Sequence, residues 1–185
     1  MASVRKETDA KTLVERGKGF AAIGDPTRAE EYLASAIEAG ADPRDVLPLL
    51  MDVCVKTGRY RSAIQHGENH LRKHPNDLGT RVMVGALYAA ISEGKQAKVQ
   101  LAKVIAPEQG ASPPPRLLAQ AHYLLAVIAR DVDNDVVETD RHFREYLRFE
   151  PNGAHQEEAK ASLLRRVPAP SDPESNPDKP EGSAP

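Results

Sequence analysis

The chain has 185 residues, 25 basic and 27 acidic, with a formal net charge of −2 and 40% hydrophobic content. That length suits a single domain with a core of useful size, and the balanced charge gives no reason to expect nucleic acid or an anionic membrane surface as a partner. Aromatics make up only 4%, tryptophan is absent and Cys54 is the single cysteine, which excludes an intramolecular disulfide and points to a reducing compartment.

Residues 1–8 are expected to be a flexible N-terminus. The opening "MASVRKETDAKTLVERG" holds no apolar run that could serve as a signal-peptide core. No segment approaches the roughly 20 apolar residues of a membrane span. Taken as a complete chain, the protein is expected in the cytoplasm. From residue 9 onward the sequence reads as helices broken by short turns. "GDPTRAEEYLASAIEAG" starts with Asp25 as N-cap and Pro26 at the first helical position, and ends at Gly40. In "RDVLPLLMDVCV", Pro48 is tolerable if Asp45 is the N-cap, because first-turn amides have no intrahelical partner to lose. "GRYRSAIQHGENHLRKHP" starts after a glycine and stops before Pro75. No stretch alternates apolar and polar residues as a half-buried strand would, so the expected class is all-α. After Pro151, "GAHQEEAKASLLRRV" places Ala159, Leu163 and Val167 on one stripe, which predicts a capping helix over 154–167. Residues 168–185 contain six prolines and almost nothing apolar, the composition of a disordered acidic tail.

The elements recur. Ala29, Ala63 and Ala97 are thirty-four residues apart, each just after a turn and opening a helix. Leu13 then aligns with Leu47, Gly17 with Gly85 and Phe20 with Tyr88. Units fall at about 10–43, 44–77 and 78–111, with a fourth at 120–153 after an eight-residue insertion. In the fourth, Phe143, Tyr146, Leu147 and Pro151 are in register. This pattern resembles the tetratricopeptide repeat, a helix–turn–helix of 34 residues with small and aromatic residues at set positions. The match is nearest in "GRYRSAI" through "HLRKHPND", and "HFREYLRFEPNG" is similar to a typical second helix. Met51 stands in place of a glycine, Cys54 of an aromatic and Thr139 of an alanine. The resemblance implies a right-handed α-solenoid of stacked hairpins over residues 9–167. It implies a non-catalytic adaptor or scaffold whose partner is another protein. A secretion-type chaperone and a self-associating, homo-oligomeric subunit are the alternatives.

Three constellations invite chemistry. His66, His70 and His74 are four residues apart on one helix, and such pairs can chelate a transition metal. Packing is the preferred reading: the His70 ring is expected to fill the volume that Gly67 leaves, His74 to suit a helix C-terminus and His66 to be exposed. "DVDND" at 131–135 carries the first three ligand positions of a calcium loop, but Val136 stands where a glycine is required and His142 where a glutamate is. A turn with one of these side chains capping the next helix is expected instead. Cys54 is expected to act as a small apolar residue. No P-loop, dinucleotide-binding glycine pattern, HExxH or GxSxG occurs, so no enzyme activity, metal or cofactor is expected. By the resemblance, the first helix of each hairpin lines a concave groove. Its positions here include Val14, Lys18, Asp52 and Val55 in the first half and Val82, Ala86, Ala89, Ala90, Leu124 and Ile128 in the second. The positions that match the lysine and asparagine set gripping a C-terminal carboxylate in some members of the family are Val14, Lys18, Leu49, Gly79 and Met83, so the resemblance does not imply that function here. The apolar second half instead suits an apolar helix or extended peptide.

Overall fold

The computed structural model describes residues 9–107 and 112–164. Its helices are α1 (Ala10–Ala22), α2 (Pro26–Glu38), α3 (Pro43–Lys56), α4 (Tyr60–Lys73), α5 (Leu78–Ala90), α6 (Gly94–Ile105), α7 (Pro115–Ile128), α8 (Val136–Phe149) and α9 (Gln156–Ala161). A π-turn, Ala129–Asp133, extends α7. No strand occurs among the described residues, and none of the described helices is long and apolar enough to cross a membrane.

Aspartates set the helix starts. Asp9, Asp25, Asp42, Asp77 and Asp135 each occupy an N-cap, accepting from the amides of Thr12, Arg28, Arg44, Thr80 and Val137 at 2.9–3.0 Å. Each cap satisfies an amide that the helix cannot, worth about 1 kcal/mol. Asp25 and Pro26 hold the expected places. The start of α3 differs from expectation: Asp42, not Asp45, is the cap, and Pro43 takes the first helical position. Asp42 is followed by Pro43 and Asp45 by Val46, and Asp-Pro makes the better start because proline at N1 loses no bond. Asp45 therefore lies in the first turn, and Pro48 sits inside the helix on its exposed side. Its absent amide removes one intrahelical bond.

The turns inside the hairpins share one left-handed residue. Gly24, Gly58, Ser92 and Asn134 have φ of 77°, 72°, 62° and 54°. The first three are thirty-four residues apart, and Asn134 follows after one unit plus the eight-residue insertion. In each of the first three, the next amide donates back across the turn: Asp25 to the Phe20 carbonyl, Arg59 to Cys54 and Glu93 to Tyr88, at 2.8–2.9 Å. The fourth bond, Asp135 to Ala129 at 2.8 Å, spans one residue more because of the π-turn. Glycine adopts this conformation freely, whereas Ser92 pays a steric cost.

Consecutive helices pack as antiparallel pairs, and each pair packs on the next, with α5 also against α7. Small residues bring paired helices close. A Cβ at Gly17 would lie 2.6 Å from Leu33 Cγ, and one at Gly85 would lie 2.8 Å from Leu101 Cγ. The second unit inverts this contact: Met51 stands in register with Gly17 and Gly85, and Gly67 with Leu33 and Leu101. A Cβ at Gly67 would meet Met51 Cε at 3.3 Å and Val84 Cγ2 at 2.4 Å. Met51 on the facing helix, with Val84 from the next unit, thus fills the space at Gly67. His70 does not, which corrects the expectation drawn from sequence.

The buried side chains form separate clusters. One joins α2, α3, α4 and α5 through Leu33, Leu50, Met51, Cys54, Ile64, Val84 and Leu87. A second joins α5, α6 and α7 through Val82, Leu101, Val104, Ala121, Leu125 and Ile128. A third, of Ala119, Ala126, Phe143, Tyr146 and Ala159, ties α7 and α8 to α9. Among the described residues, Tyr88 packs against both the first and the second cluster. Ala159 and Leu163 of the predicted capping stripe both face the third, but α9 is six residues long and ends at Ala161. Val167, the expected N-terminal arm 1–8 and the tail 168–185 lie outside the described residues.

Candidate functional site

The residues expected on the groove divide by burial. Val14 and Val55 are half-buried against the first cluster. Lys18 is exposed and pairs with Glu15 at 3.0 Å, while Asp52 pairs with Lys56 at 2.7 Å. Both are one-turn pairs in water, worth a few tenths of a kcal/mol. In the second half, Ala86, Ala89 and Leu124 are half-buried and Ala90 is exposed, with Ala89 and Leu124 resting on the second cluster. Val82 and Ile128 are 7% and 1% exposed and belong to that cluster's interior. They support the surface rather than forming it, because α5 and α7 pack directly on each other. What remains in the second half is a low apolar strip of alanines with Leu124 beside it.

The histidines separate along α4. His66 Nε2 lies 3.0 Å from Glu30 Oε1 on α2, so it is partnered rather than free. His70 Nε2 lies 2.8 Å from Asp77 Oδ2, tying the end of α4 to the cap of α5. His74 stacks on His70 with ring centroids 4.6 Å apart and caps the C-terminus of α4. Burial pushes the Asp77 carboxyl up, but hydrogen bonds from the Thr80 amide, from His70 and from the Thr80 hydroxyl outweigh it and hold the group below its ordinary range. The imidazole bond thus goes to a fold-defining cap.

The aspartates of "DVDND" also part company. Asp131 pairs with Arg130, Asp133 with Lys98 at 2.8 Å, and Asp135 caps α8 as expected. No three of them converge on a common point. The Cys54 thiol is fully buried, and burial together with Glu30 pushes it up to about 12, so thiolate nucleophilicity is suppressed.

Sequence reasoning missed a buried histidine pair. His122 of α7 and His142 of α8 face each other with Nδ1 atoms 3.0 Å apart. One ring must donate and the other accept, so the contact holds a single proton. Burial, then Arg141, then His122 depress His142 to about 4, and burial likewise lowers His122. The carboxylates of Glu138 and Glu145 oppose this without reversing it. The two residues are twenty positions apart on different helices, and no local spacing signals their contact.

No protein-family profile and no curated protein matches the chain. Solved structures do. A tetratricopeptide repeat protein from Parabacteroides merdae superposes with a TM-score of 0.61 at 19% identity over 83% of this chain, which spans 58% of that protein. MamA from Desulfovibrio magneticus matches with a TM-score of 0.62 at 21% identity, over 82% of this chain and 84% of its own. YrrB, described as a tetratricopeptide-repeat protein with an unusual peptide-binding site, gives 0.60 at 18% identity over 83% of this chain and 75% of its own.

Proposed function

Taking as premise that the chain has the right-handed solenoid fold of tetratricopeptide-repeat proteins, we propose that it is a non-catalytic scaffold for a partner protein. The partner contributes an apolar helix or extended segment, which lies along the strip of Ala86, Ala89, Ala90 and Leu124. The observation that carries this reading is the strip itself. Its side chains are small and incompletely buried, although they sit on a closed core. Small residues let a ligand backbone come close, and a few apolar anchors then supply most of the affinity. The likeness to YrrB, whose description includes a peptide-binding site, supports the same reading. Lys18 and Asp52, beside Val14 and Val55, supply the charge of the first half of this surface, where ion pairs would tune selectivity more than affinity. A cytoplasmic location belongs to this proposal, supported by a single cysteine that is kept as a buried thiol.

Introducing Ala86→Glu together with Ala89→Glu tests it. Both side chains would project carboxylates into the strip without entering the core. In a crosslinking pull-down from the native cell, the specific partner band is expected to vanish with the double variant and persist with Lys95→Ala, a change at an exposed residue of α6 outside the strip. An unchanged capture profile refutes the assignment of the surface.

A further inference from the structure

Three ligand-type side chains from three successive helices converge inside the first half of the solenoid. They are Glu30 of α2, Cys54 of α3 and His66 of α4. A Glu30 carboxylate oxygen, the Cys54 sulfur and a His66 ring nitrogen lie within 4.8 Å of one another, and no other such trio of His, Cys, Asp and Glu occurs among the described residues. His66 Nε2 faces Glu30 Oε1 at 3.0 Å. The second carboxylate oxygen, Oε2, is taken by Arg59 at 2.5 Å. Arg59 is itself fixed by bonds to the Pro26 carbonyl and the Thr57 hydroxyl, both at 3.1 Å. Glu30 is therefore oriented with one oxygen anchored and the other turned toward the imidazole and the thiol. Cys54 is 0% exposed, whereas the His66 and Glu30 side chains are 24% and 18% exposed. The cluster thus has a closed sulfur floor and a polar mouth open to solvent.

We propose that Glu30, Cys54 and His66 form a binding site for a thiophilic divalent transition ion of the zinc class. The ligands are Glu30 Oε1, Cys54 Sγ and His66 Nε2, and the fourth position is left to water. Thiolate, imidazole and carboxylate are the three donor types that zinc takes, at about 2.3, 2.0–2.1 and 2.0–2.2 Å. Tetrahedral placement at those lengths puts the donors roughly 3.3–3.6 Å apart, so side-chain rotations on the order of 1 Å assemble it. On binding, the Cys54 S–H bond breaks, a sulfur–metal bond forms and the proton leaves to solvent. The His66–Glu30 hydrogen bond is exchanged for two metal bonds: the Nε2–H proton goes to solvent while Nδ1 takes one up, so the imidazole stays neutral and the net release is the thiol proton alone. The ion's two positive charges are balanced by the thiolate and the carboxylate, and Arg59 serves as the outer partner that holds Glu30 in place. Because one proton is displaced per ion, occupancy rises with pH.

This site uses none of the side chains of the proposed partner surface, whose apolar strip lies on α5 and α7. The test uses the full, tag-free chain, stripped by chelator and kept reduced without added thiols, titrated with Co²⁺. A thiolate-to-cobalt charge-transfer band with tetrahedral visible absorption is expected to saturate at one ion per chain and to be displaced by Zn²⁺. Loss of an outer-shell partner alone costs ~10–100-fold in affinity, so His66→Gln and Glu30→Gln should each weaken binding by at least about tenfold. The double variant His70→Gln/His74→Gln should bind as wild type, which separates this site from the histidine ladder of α4. Circular dichroism confirms that each variant is folded, and His66→Gln, changed at the open mouth, keeps the test intact if Cys54→Ala does not fold. Absence of the charge-transfer band in folded wild-type protein overturns the proposal. So does binding that is lost in the His70/His74 variant but kept in His66→Gln.

Discussion

Returning Met51 and Gly67 toward the arrangement of the neighbouring units tests whether the two residues compensate each other. Met51→Ala removes a fully buried side chain and should cost about 2–5 kcal/mol through lost transfer energy and the cavity left behind. Gly67→Leu places a Cβ 2.4 Å from Val84 Cγ2 and 3.3 Å from Met51 Cε. Such overpacking costs about 1–3 kcal/mol or more, offset by roughly 1 kcal/mol of helix propensity gained over glycine. In the double variant the leucine branches enter the space that the thioether vacates. The contact with Val84 persists, so recovery is incomplete. The double variant should therefore be about 2 kcal/mol less destabilised than the sum of the single ones. Urea unfolding of all four proteins, analysed by linear extrapolation, measures this directly. Additivity to within about 0.5 kcal/mol would show that the two sites do not share a volume, and the packing account would fall.

Two further outcomes are expected. Above pH 6.5 His142 is neutral in both states; below it the unfolded chain takes up a proton that the folded chain, with His142 at about 4, does not. Wild type should then lose about 1.4 kcal/mol more per pH unit between 6.5 and 4 than His142→Asn does, and parallel pH profiles of urea stability would refute it. Ser92→Gly relieves a left-handed serine with φ of 62° and should raise stability by about 1 kcal/mol, read as a higher urea midpoint. The same change at Ser35, inside α2, should lower it.

Much of the architecture could be read from the chain because its signals are local or periodic. Asp25, Pro26 and Gly40 mark a helix by capping chemistry alone, and the thirty-four-residue recurrence of Ala29, Ala63 and Ala97 follows from one repeated close contact. The errors arise where a contact crosses between helices. Gly67 suggested His70 because both lie on α4, whereas its true complement, Met51, lies on α3. The start of α3 is a local exception: Asp45 as the cap would excuse Pro48, but Asp42 caps the helix and Pro43 takes its first position. Val82 and Ile128 satisfy the register of a groove floor, yet the close approach of α5 and α7 seals them. No one-dimensional pattern brings Glu30, Cys54 and His66 together, since each faces inward from its own helix for reasons of packing.

The position of α5 has a mechanical consequence. This helix gives Val84 and Leu87 to the first cluster and Val82 to the second, with Tyr88 touching both. The two halves of the solenoid therefore meet along a single shared rod rather than across a broad slab of interlocked side chains. The first and second clusters are therefore coupled through a few side chains of one helix, with Tyr88 common to both. A ligand seated on Ala86, Ala89 and Leu124 would span α5 and α7 and brace that coupling from outside.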